Sequence, residues 1–442
     1  MRSKQSFRSE ISPTFSDQHS CKQIHQLGTT NLKESLLDKS DYEDYSLKAS
    51  VPQTIFNLTK FFLGISIIAI PASFQSSGLI GGVVGVIAWI SLNVFTVFIQ
   101  TKAAVRLDEG IESLSELGMK TAGPLAKYLI DAFILIGQMG LNVSYLMFNG
   151  TQVDNSIWKA SKYTFWDYKN TYILVALIVL VPLWWLKSLR LLSYVSIITL
   201  ILMFSAYAVV TLYSFETIVK GEDHYEEIRM FDPLQFPYFV GIAMIGFNGN
   251  SVSLNIRASM ENPKKFNFAF YVSALIVGMI TCIIGALGYI AYGNETKEII
   301  TLNLPHNAVT LFIQLAYCAG LFGTYPMQMI PLIDVIEKSQ YYRMLPNLED
   351  FNIKYYAVRA FYVIFTATLA ISIPKFGRFL NFVGALSGMM VGIIIPFLVY
   401  EIVYTGKLSM KEKIFNRTIL VIGTVLSGLS TFMSLLSLLN MI

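Results

Sequence analysis

Two apolar stretches of the sequence contain glycine and small polar residues near their centres. At these points backbone N–H and C=O groups can bind a ligand. The first stretch reads NLTKFFLGISIIAIPASF and the second FVGIAMIGFNGNSVSLNI. Inside a membrane, peptide groups released from helical hydrogen bonding must find another partner, because hydrocarbon supplies none. A bound solute can be that partner.

If both helices unwind, their broken ends present opposite partial charges. The half-helix after the first turn would point its N-terminal amides at an anion, and the freed carbonyls of the second turn would accept from a cation. An amino acid carries one carboxylate and one ammonium group and matches that pair of ends. Two glycine-containing helices that only pack closely would show the same spacing. The candidate substrate-binding residues of the two turns are Gly64, Ile65, Ser66, Gly246, Phe247, Asn248 and Gly249.

The elements that must hold these turns are membrane-spanning helices. Of the 442 residues, 54% are hydrophobic and 14% charged, whereas a soluble domain carries about 25% charged residues. That composition excludes a soluble enzyme. A helix that crosses the bilayer needs about 20 mostly apolar residues, and the sequence contains eleven such runs. They cover approximately residues 55–75, 81–101, 127–150, 171–186, 191–213, 236–256, 268–291, 308–333, 355–373, 379–403 and 418–440. The predicted fold class is an all-α polytopic membrane protein with eleven transmembrane helices.

The chain divides into three predicted parts. Residues 1–50 are rich in Ser, Lys, Asp and Glu and predict a disordered tail; residues 51–404 form a ten-helix core, and residues 405–442 a loop and the eleventh helix. Loops after the even-numbered spans hold about twice as many Lys and Arg as the opposite loops, which predicts a cytoplasmic N-terminus. The glycosylation sequon at Asn294 then falls on the outer side.

Several other functions are excluded by what the sequence lacks. The net charge is only +4, which argues against a nucleic-acid partner, and the three cysteines show no metal-ligand spacing. No Gly-rich phosphate loop ending in Gly-Lys-Ser/Thr occurs, so ATP is not the direct energy source. No predicted span holds a histidine or a paired Asp motif, which argues against an intramembrane enzyme. We expect no cofactor and no metal.

One ionisable residue stands out within the spans. Intramembrane charges are costly and are therefore functional candidates, and Lys60 lies one helical turn before Gly64. All four histidines fall in the tail or the loops. A lysine near the end of a span can also extend its ammonium group to the lipid headgroups, and both interpretations of Lys60 stay open.

With these features, the sequence resembles the amino acid/auxin permease family, and within it the proton-coupled and vacuolar amino acid transporters. The resemblance runs from about Val51 to Tyr404 and implies a secondary transporter whose first ten helices form two inverted five-helix repeats, followed by one extra helix. Spans 1 and 6 would be the broken pair. The pieces that carry the resemblance are KFFLGISIIAIPASFQSSG, SYLMF, GFNGNSVSLNIRASMENPKKF, GYIAYGNETKEIITLNLP, GTYPMQMIPLIDVIE and IPKFGRFLNFVGALSGMMVGIIIPFLVY.

The resemblance also assigns roles residue by residue. Gly64, Ile65 and Ser66 match the family's substrate-binding turn, with Ser66 where the usual pattern has a second glycine. Tyr145 matches a span 3 tyrosine that would close over the substrate, although a tyrosine whose hydroxyl is only hydrogen-bonded inside the bundle is the commoner arrangement.

Span 6 departs from the family pattern. Asn248 stands in place of a glutamate, Asn255 in place of a proline and Arg257 in place of a second glutamate. These departures bear on the substrate range and the coupling chemistry.

Two positions bear on the coupling ion, and they point to different ions. Lys60 stands where the sodium-coupled branch carries a polar residue that helps hold its cation, and its ammonium group would take the place of sodium. Thr324 matches that branch's hydroxyl ligand and favours sodium. We expect proton coupling, with a sodium-coupled symporter as the alternative.

Together these features predict a secondary active amino acid transporter that works by alternating access. The bulky Ile65 and Phe247 favour a neutral substrate, whereas Arg257 leaves an acidic one open. The alternative outside the transporter class is a membrane sensor that binds an amino acid without net transport. The protein is expected in the plasma membrane or in a vacuolar or lysosomal membrane.

Overall fold

The structure is a computed structural model that describes residues 48–108, 110–160, 168–184, 189–221, 228–246, 249–329, 332, 335, 336, 353–373 and 375–439. Nearly all of the predicted N-terminal tail lies outside these residues. Within the described part, ordered segments are helical except for one isolated parallel bridge between Ala49 and Met260.

The described residues form fifteen α-helices, which are numbered in chain order. They are α1 Val51–Phe62, α2 Ile65–Ser77, α3 Leu79–Leu107, α4 Leu114–Ala122, α5 Pro124–Ala160, α6 Tyr168–Trp184, α7 Leu189–Val219, α8 Phe236–Gly246, α9 Asn250–Ala258, α10 Phe266–Tyr292, α11 Ala308–Gln328, α12 Ile353–Ser372, α13 Phe376–Val383, α14 Ile395–Val403 and α15 Met410–Leu438.

The predicted all-helical membrane architecture is confirmed. In the described residues, eight helices or helix pairs are long and apolar enough to cross a membrane, and the bent pair α1 and α2 makes a ninth. Two shorter apolar helices, Lys169–Pro182 and Tyr356–Ser372, coincide with predicted spans 4 and 9. The total of eleven spans and the inverted-repeat arrangement stay predictions.

Local sequence signals explain where several helices begin. The backbone N–H of Ser50 donates to Gln53 Oε1 at the start of α1 (2.9 Å). Ser409 and Glu412 form a capping box at the start of α15, which satisfies backbone donors that lack helical partners. Ser113 accepts from the backbone N–H of Glu116 at the start of α4. The amphipathic helix α4 lies where the sequence analysis assigned only a loop.

Predicted span 10 contains an irregularity that the sequence analysis did not predict. Between α13 and α14 the chain forms two π-helical turns, Gly384–Gly388 and Met390–Ile394, and such wide turns are frequent at functional sites. A Cβ on Gly384 would lie 1.9 Å from the carbonyl oxygen of Gly241 in α8. The two backbones therefore touch, and no larger residue fits at position 384.

The helices differ strongly in how deeply they lie in the protein. In an apolar stretch of 18 residues within Phe236–Ala258, 81% of the residues are buried, whereas in the corresponding stretch of Met410–Leu438 only 22% are. Predicted span 6 is thus central and α15 is peripheral. The peripheral helix contacts the core through serines: Ser427 donates to the Ala385 carbonyl and Ser430 to the Pro237 carbonyl.

The start of predicted span 1 and the end of predicted span 6 are joined by backbone hydrogen bonds at one end of the molecule. Ala49, just before α1, donates its N–H to the Ser259 carbonyl (2.8 Å) and accepts from the N–H of Glu261 (3.1 Å). At the opposite end, the N–H of Asp232 donates to the Ser77 carbonyl (3.0 Å). Each end of the molecule therefore links predicted span 1 to the chain around predicted span 6.

Candidate functional site

The helix of predicted span 1 is broken at Leu63 and Gly64. The axes of α1 and α2 differ in direction by 53°, and Gly64 has an extended backbone (φ −134°, ψ −164°). Helix α2 starts at Ile65, so Ser66 belongs to its first turn. The first N–H groups of a helix have no intrahelical acceptors, so α2 presents donors at this point.

Glycine at position 64 is explained by the space in front of it and not by its dihedral angles. An extended backbone is open to any residue, and a Cβ on Gly64 would lie 3.5 Å from the hydroxyl oxygen of Tyr145, an ordinary contact. Such a Cβ would nevertheless cover the broken backbone. Glycine leaves the peptide groups of this turn open to close approach.

The carbonyl oxygen of Gly64 is held by two tyrosines from different helices. The hydroxyl of Tyr317 in α11 donates to it at 3.1 Å, and the hydroxyl of Tyr207 in α7 lies 3.3 Å away. The two hydroxyl oxygens are 3.2 Å apart. The backbone N–H of Ile67 also donates to this oxygen (3.2 Å). The phenols therefore add side-chain donors to an acceptor at the break, where hydrocarbon supplies none.

The sequence analysis missed Tyr207 and Tyr317 and named only Tyr145. All three side chains are buried. The one available signal was a polar tip in an otherwise apolar run, which is also typical of ordinary bundle packing.

Predicted span 6 meets the broken turn of span 1 directly. Helix α8 ends at Gly246 and α9 begins at Asn250. A Cβ on Gly246 would lie 2.9 Å from Ser66 Oγ, so the end of α8 lies against the first turn of α2. Phe247 and Asn248 lie outside the described residues.

A small cavity lies between these elements. The volume of this cavity is about 20 Å³, which is room for about one water molecule. Five predicted site residues line it: Gly64, Ile65, Ser66, Tyr145 and Gly246. The remaining lining residues, none of them named by the sequence analysis, are Phe61, Phe62, Leu141, Ile245 and Gln328.

Three other predicted residues do not belong to that lining in the described part of the chain. Gly249 lies against the ring of Phe62, where a Cβ would approach an aromatic carbon to 2.4 Å. Lys60 is buried in the last turn of α1, with 8% of its surface exposed. Thr324 is also buried and donates its hydroxyl to the Gly320 carbonyl of its own helix (2.8 Å).

A polar network braces α9 immediately beyond the cavity. The Asn250 side-chain amide donates to Thr96 Oγ1 (2.9 Å) and to the carbonyl of Gly392 in the π-helical segment (2.6 Å). Its oxygen accepts from the amide of Asn93 (3.1 Å), and its backbone carbonyl accepts from Gln100 (3.2 Å). One asparagine thus joins predicted spans 2, 6 and 10.

The opposite end is braced by the loop between α10 and α11. Glu298 accepts from the N–H of Gly377 at the start of α13 (2.9 Å). Thr301 bonds to the Gln152 side chain in α5, and its carbonyl accepts from Gln314 in α11. Polar contacts therefore hold the helices together on both sides of the cavity.

The family of the chain follows from comparison with known proteins. Residues 47–439 match the sequence profile of the family described as "Transmembrane amino acid transporter protein". The chain is 26% identical over 404 residues to "Amino acid transporter ANT1" of Arabidopsis thaliana, covering 87% of this chain and 92% of that one. It is 24% identical over 401 residues to "Vacuolar amino acid transporter 3" of Saccharomyces cerevisiae, covering 88% of this chain and 57% of that one.

Solved structures of the same fold include two other transporters. A sodium-coupled sialic acid symporter in a substrate-bound outward-open state has a TM-score of 0.56 at 12% identity, over 86% of this chain and 88% of that one. The inward-facing conformation of Mhp1 has a TM-score of 0.55 at 10% identity, over 90% and 91%.

The resemblance to the amino acid/auxin permeases is confirmed by these matches, and so is the prediction that the protein is not an enzyme. The chain belongs to the transmembrane amino acid transporter family and is a multi-pass membrane protein.

Proposed function

We propose that the chain moves small neutral amino acids across a membrane by alternating access, with the substrate bound between the broken turns of predicted spans 1 and 6. The observation that carries this proposal is that Ser66 and Gly246 lie side by side in the lining of one cavity. The cavity must widen to admit an amino acid. The amides at the start of α2 suit the substrate carboxylate, and the carbonyl end of α8 suits its ammonium group.

Neutrality of the substrate follows from the lining of the cavity. Its described side chains are aromatic or aliphatic, with only Ser66, Tyr145 and Gln328 as polar members and no charged one. A charged substrate side chain would lose its hydration there without gaining a counter-charge, which is costly. Arg257, which left an acidic substrate open in the sequence, is not part of this lining.

Alternating access is supported by the polar contacts at the two ends of the molecule. The Asn250 network closes one end, and the contact of Glu298 with Gly377 closes the other. Breaking the few hydrogen bonds at one end would open that end of the molecule while the contacts at the other end stay in place.

The hydrogen bonds to the Gly64 carbonyl oxygen favour proton coupling over sodium coupling. Two phenol hydroxyls already supply this oxygen with donors, so it needs no cation as a partner. Lys60 packs inside the protein one turn away, and a lysine can bind and release a proton during the cycle. Thr324 supports the sodium alternative, because its oxygen still has lone pairs for a cation while its proton is donated to Gly320.

The proposal places the chain in a vacuolar or lysosomal membrane with a cytoplasmic N-terminus. The yeast relatives that carry "vacuolar" in their names support that membrane. Co-localisation of the tagged chain with a vacuolar marker is expected, and staining confined to the cell surface would contradict it.

Counterflow in proteoliposomes tests transport. Vesicles that contain the purified full-length chain are preloaded with one unlabelled amino acid, and uptake of the labelled form is measured for each of the twenty. A transporter exchanges at least one small neutral amino acid, whereas a sensor binds without exchange. Replacing sodium by choline at fixed pH is expected to leave uptake unchanged, and a large loss would establish sodium coupling instead.

A further inference from the structure

We propose that Gln328 is a specificity-determining residue whose side-chain oxygen accepts a hydrogen bond from the substrate side chain. It would favour amino acids that carry a neutral N–H or O–H donor, such as amides and hydroxyls, over apolar ones of the same shape. The inference rests on the proposed transport function and adds the substrate class.

The first step is the state of the Gln328 amide. Gln328 is the last residue of α11 and has 5% of its surface exposed. Its Oε1 atom is buried and, within the described part of the chain, has no hydrogen-bond partner. Most buried polar atoms are paired, so an unpaired acceptor that also lines a cavity is open to a hydrogen bond from a bound ligand.

The second step is where this acceptor lies. Gln328 lines the cavity together with Gly64, Ser66 and Tyr145, and its amide and the Tyr145 hydroxyl are neighbours. The backbone ends of α2 and α8 are the partners proposed for the carboxylate and ammonium groups of the substrate. The Gln328 oxygen is then left to meet the substrate side chain.

The third step is the chemistry of that contact. An amide oxygen accepts and does not donate, so its partner must carry an N–H or O–H. A site built around a buried acceptor discriminates against analogues that leave it unpaired. Since the other walls are formed by residues such as Phe62, Leu141 and Ile245, shape alone would not separate asparagine from leucine.

A matched control exists in Gln138 of α5. It is equally buried, with 1% of its surface exposed, and its Oε1 also has no partner among the described residues. It does not contribute to the described cavity lining. Replacing it removes the same chemical group from the membrane interior without touching the site.

The test measures competition by pairs of amino acids of nearly equal shape. Counterflow of labelled alanine into proteoliposomes is inhibited by asparagine or leucine, and by serine or 2-aminobutyrate, for the wild type, Gln328→Met and Gln138→Met. In Gln328→Met the preference for the donor-bearing member of each pair is expected to fall by roughly tenfold, and in Gln138→Met to stay as in the wild type. An unchanged preference in Gln328→Met, with alanine exchange intact, would overturn the inference.

A second variant decides the question even if Gln328→Met does not fold. Gln328→Glu keeps the shape and adds a negative charge, so lysine is expected to gain on leucine as a competitor by at least about tenfold. An unchanged inhibition profile in Gln328→Glu would overturn the inference. If the wild type exchanges no amino acid of the twenty, the proposed function fails instead.

Discussion

The hydroxyl of Tyr317 donates to the carbonyl oxygen of Gly64 over 3.1 Å, and this contact joins α11 to the point where predicted span 1 is broken. Tyr207 approaches the same oxygen from α7. An acceptor released from a helix inside the membrane thus has two alternative donors. This arrangement keeps the turn open without leaving its carbonyl unsatisfied.

Removing both hydroxyls is expected to be far more damaging than removing either one. In Tyr207→Phe or Tyr317→Phe the remaining phenol still donates to the Gly64 oxygen, so transport falls only several-fold. The double variant leaves the Gly64 oxygen with only the Ile67 N–H as a donor (3.2 Å) and removes both phenol donors, each worth about 0.5–1.5 kcal/mol. Transport is expected to fall by more than the product of the single effects.

The control for this cycle is Tyr325→Phe, on the same helix as Tyr317. Its hydroxyl is bonded to Thr366 (2.6 Å) and does not contact Gly64. Initial counterflow rates of the wild type, the two single variants, the double variant and Tyr325→Phe check the prediction. Strictly multiplicative effects of the two tyrosine substitutions would show that the hydroxyls do not share the Gly64 oxygen.

Asn250→Leu is expected to destabilise the protein. The substitution removes the hydrogen bonds of this amide to Thr96, Asn93 and the Gly392 carbonyl, each worth about 0.5–1.5 kcal/mol. The thermal unfolding midpoint in detergent should fall by several degrees. Asn255→Leu, an exposed position on the same helix, should leave it near the wild-type value; equal midpoints for both variants would refute the bracing role.

Lys60→Met is expected to uncouple transport from the pH gradient. The variant keeps the shape of the side chain but loses the group that binds a proton, so counterflow persists while accumulation driven by an acidic compartment is lost. Lys102→Met is the control, because Lys102 is exposed at the end of α3 and lies over the ring of Tyr404. Wild-type accumulation in Lys60→Met would show that this lysine is structural.

The orientation of the chain is tested at Asn294. This residue is exposed in the loop between α10 and α11, and a glycan can be added to it only on the lumenal or extracellular side. With a cytoplasmic N-terminus, wild-type protein from eukaryotic cells should shift in a gel after enzymatic deglycosylation, and Asn294→Gln should not. The same mobility for both proteins, with or without the enzyme, would contradict the predicted orientation.

The sequence predicted the helical architecture and the position of the first break, because each rests on a local pattern. Apolar runs of bilayer length predict spans, and glycine followed by small polar residues within such a run predicts a weak point, which the structure has at Leu63 and Gly64. The π-helical turns after Val383 and the bracing by Asn250 were not predicted. They depend on contacts between helices that are far apart in sequence.

The residues around the cavity were only partly predictable for the same reason. Tyr207, Tyr317 and Gln328 are single polar residues in apolar helices, and one sequence does not show which face of each helix points inward. Gly249 differs from its prediction in the other direction. Its glycine-rich context predicted an open turn, but in the structure it packs against Phe62.

The position of a bound amino acid tests the central claim most directly. A high-resolution structure of the full chain, determined with its best exchanged amino acid, is predicted to show the substrate in a widened form of the cavity lined by Gly64, Ser66 and Gly246. Its carboxylate should lie at the first amides of α2 and its side chain at Gln328. Substrate density at another place, or an unbroken helix through residues 60–71, would contradict the account.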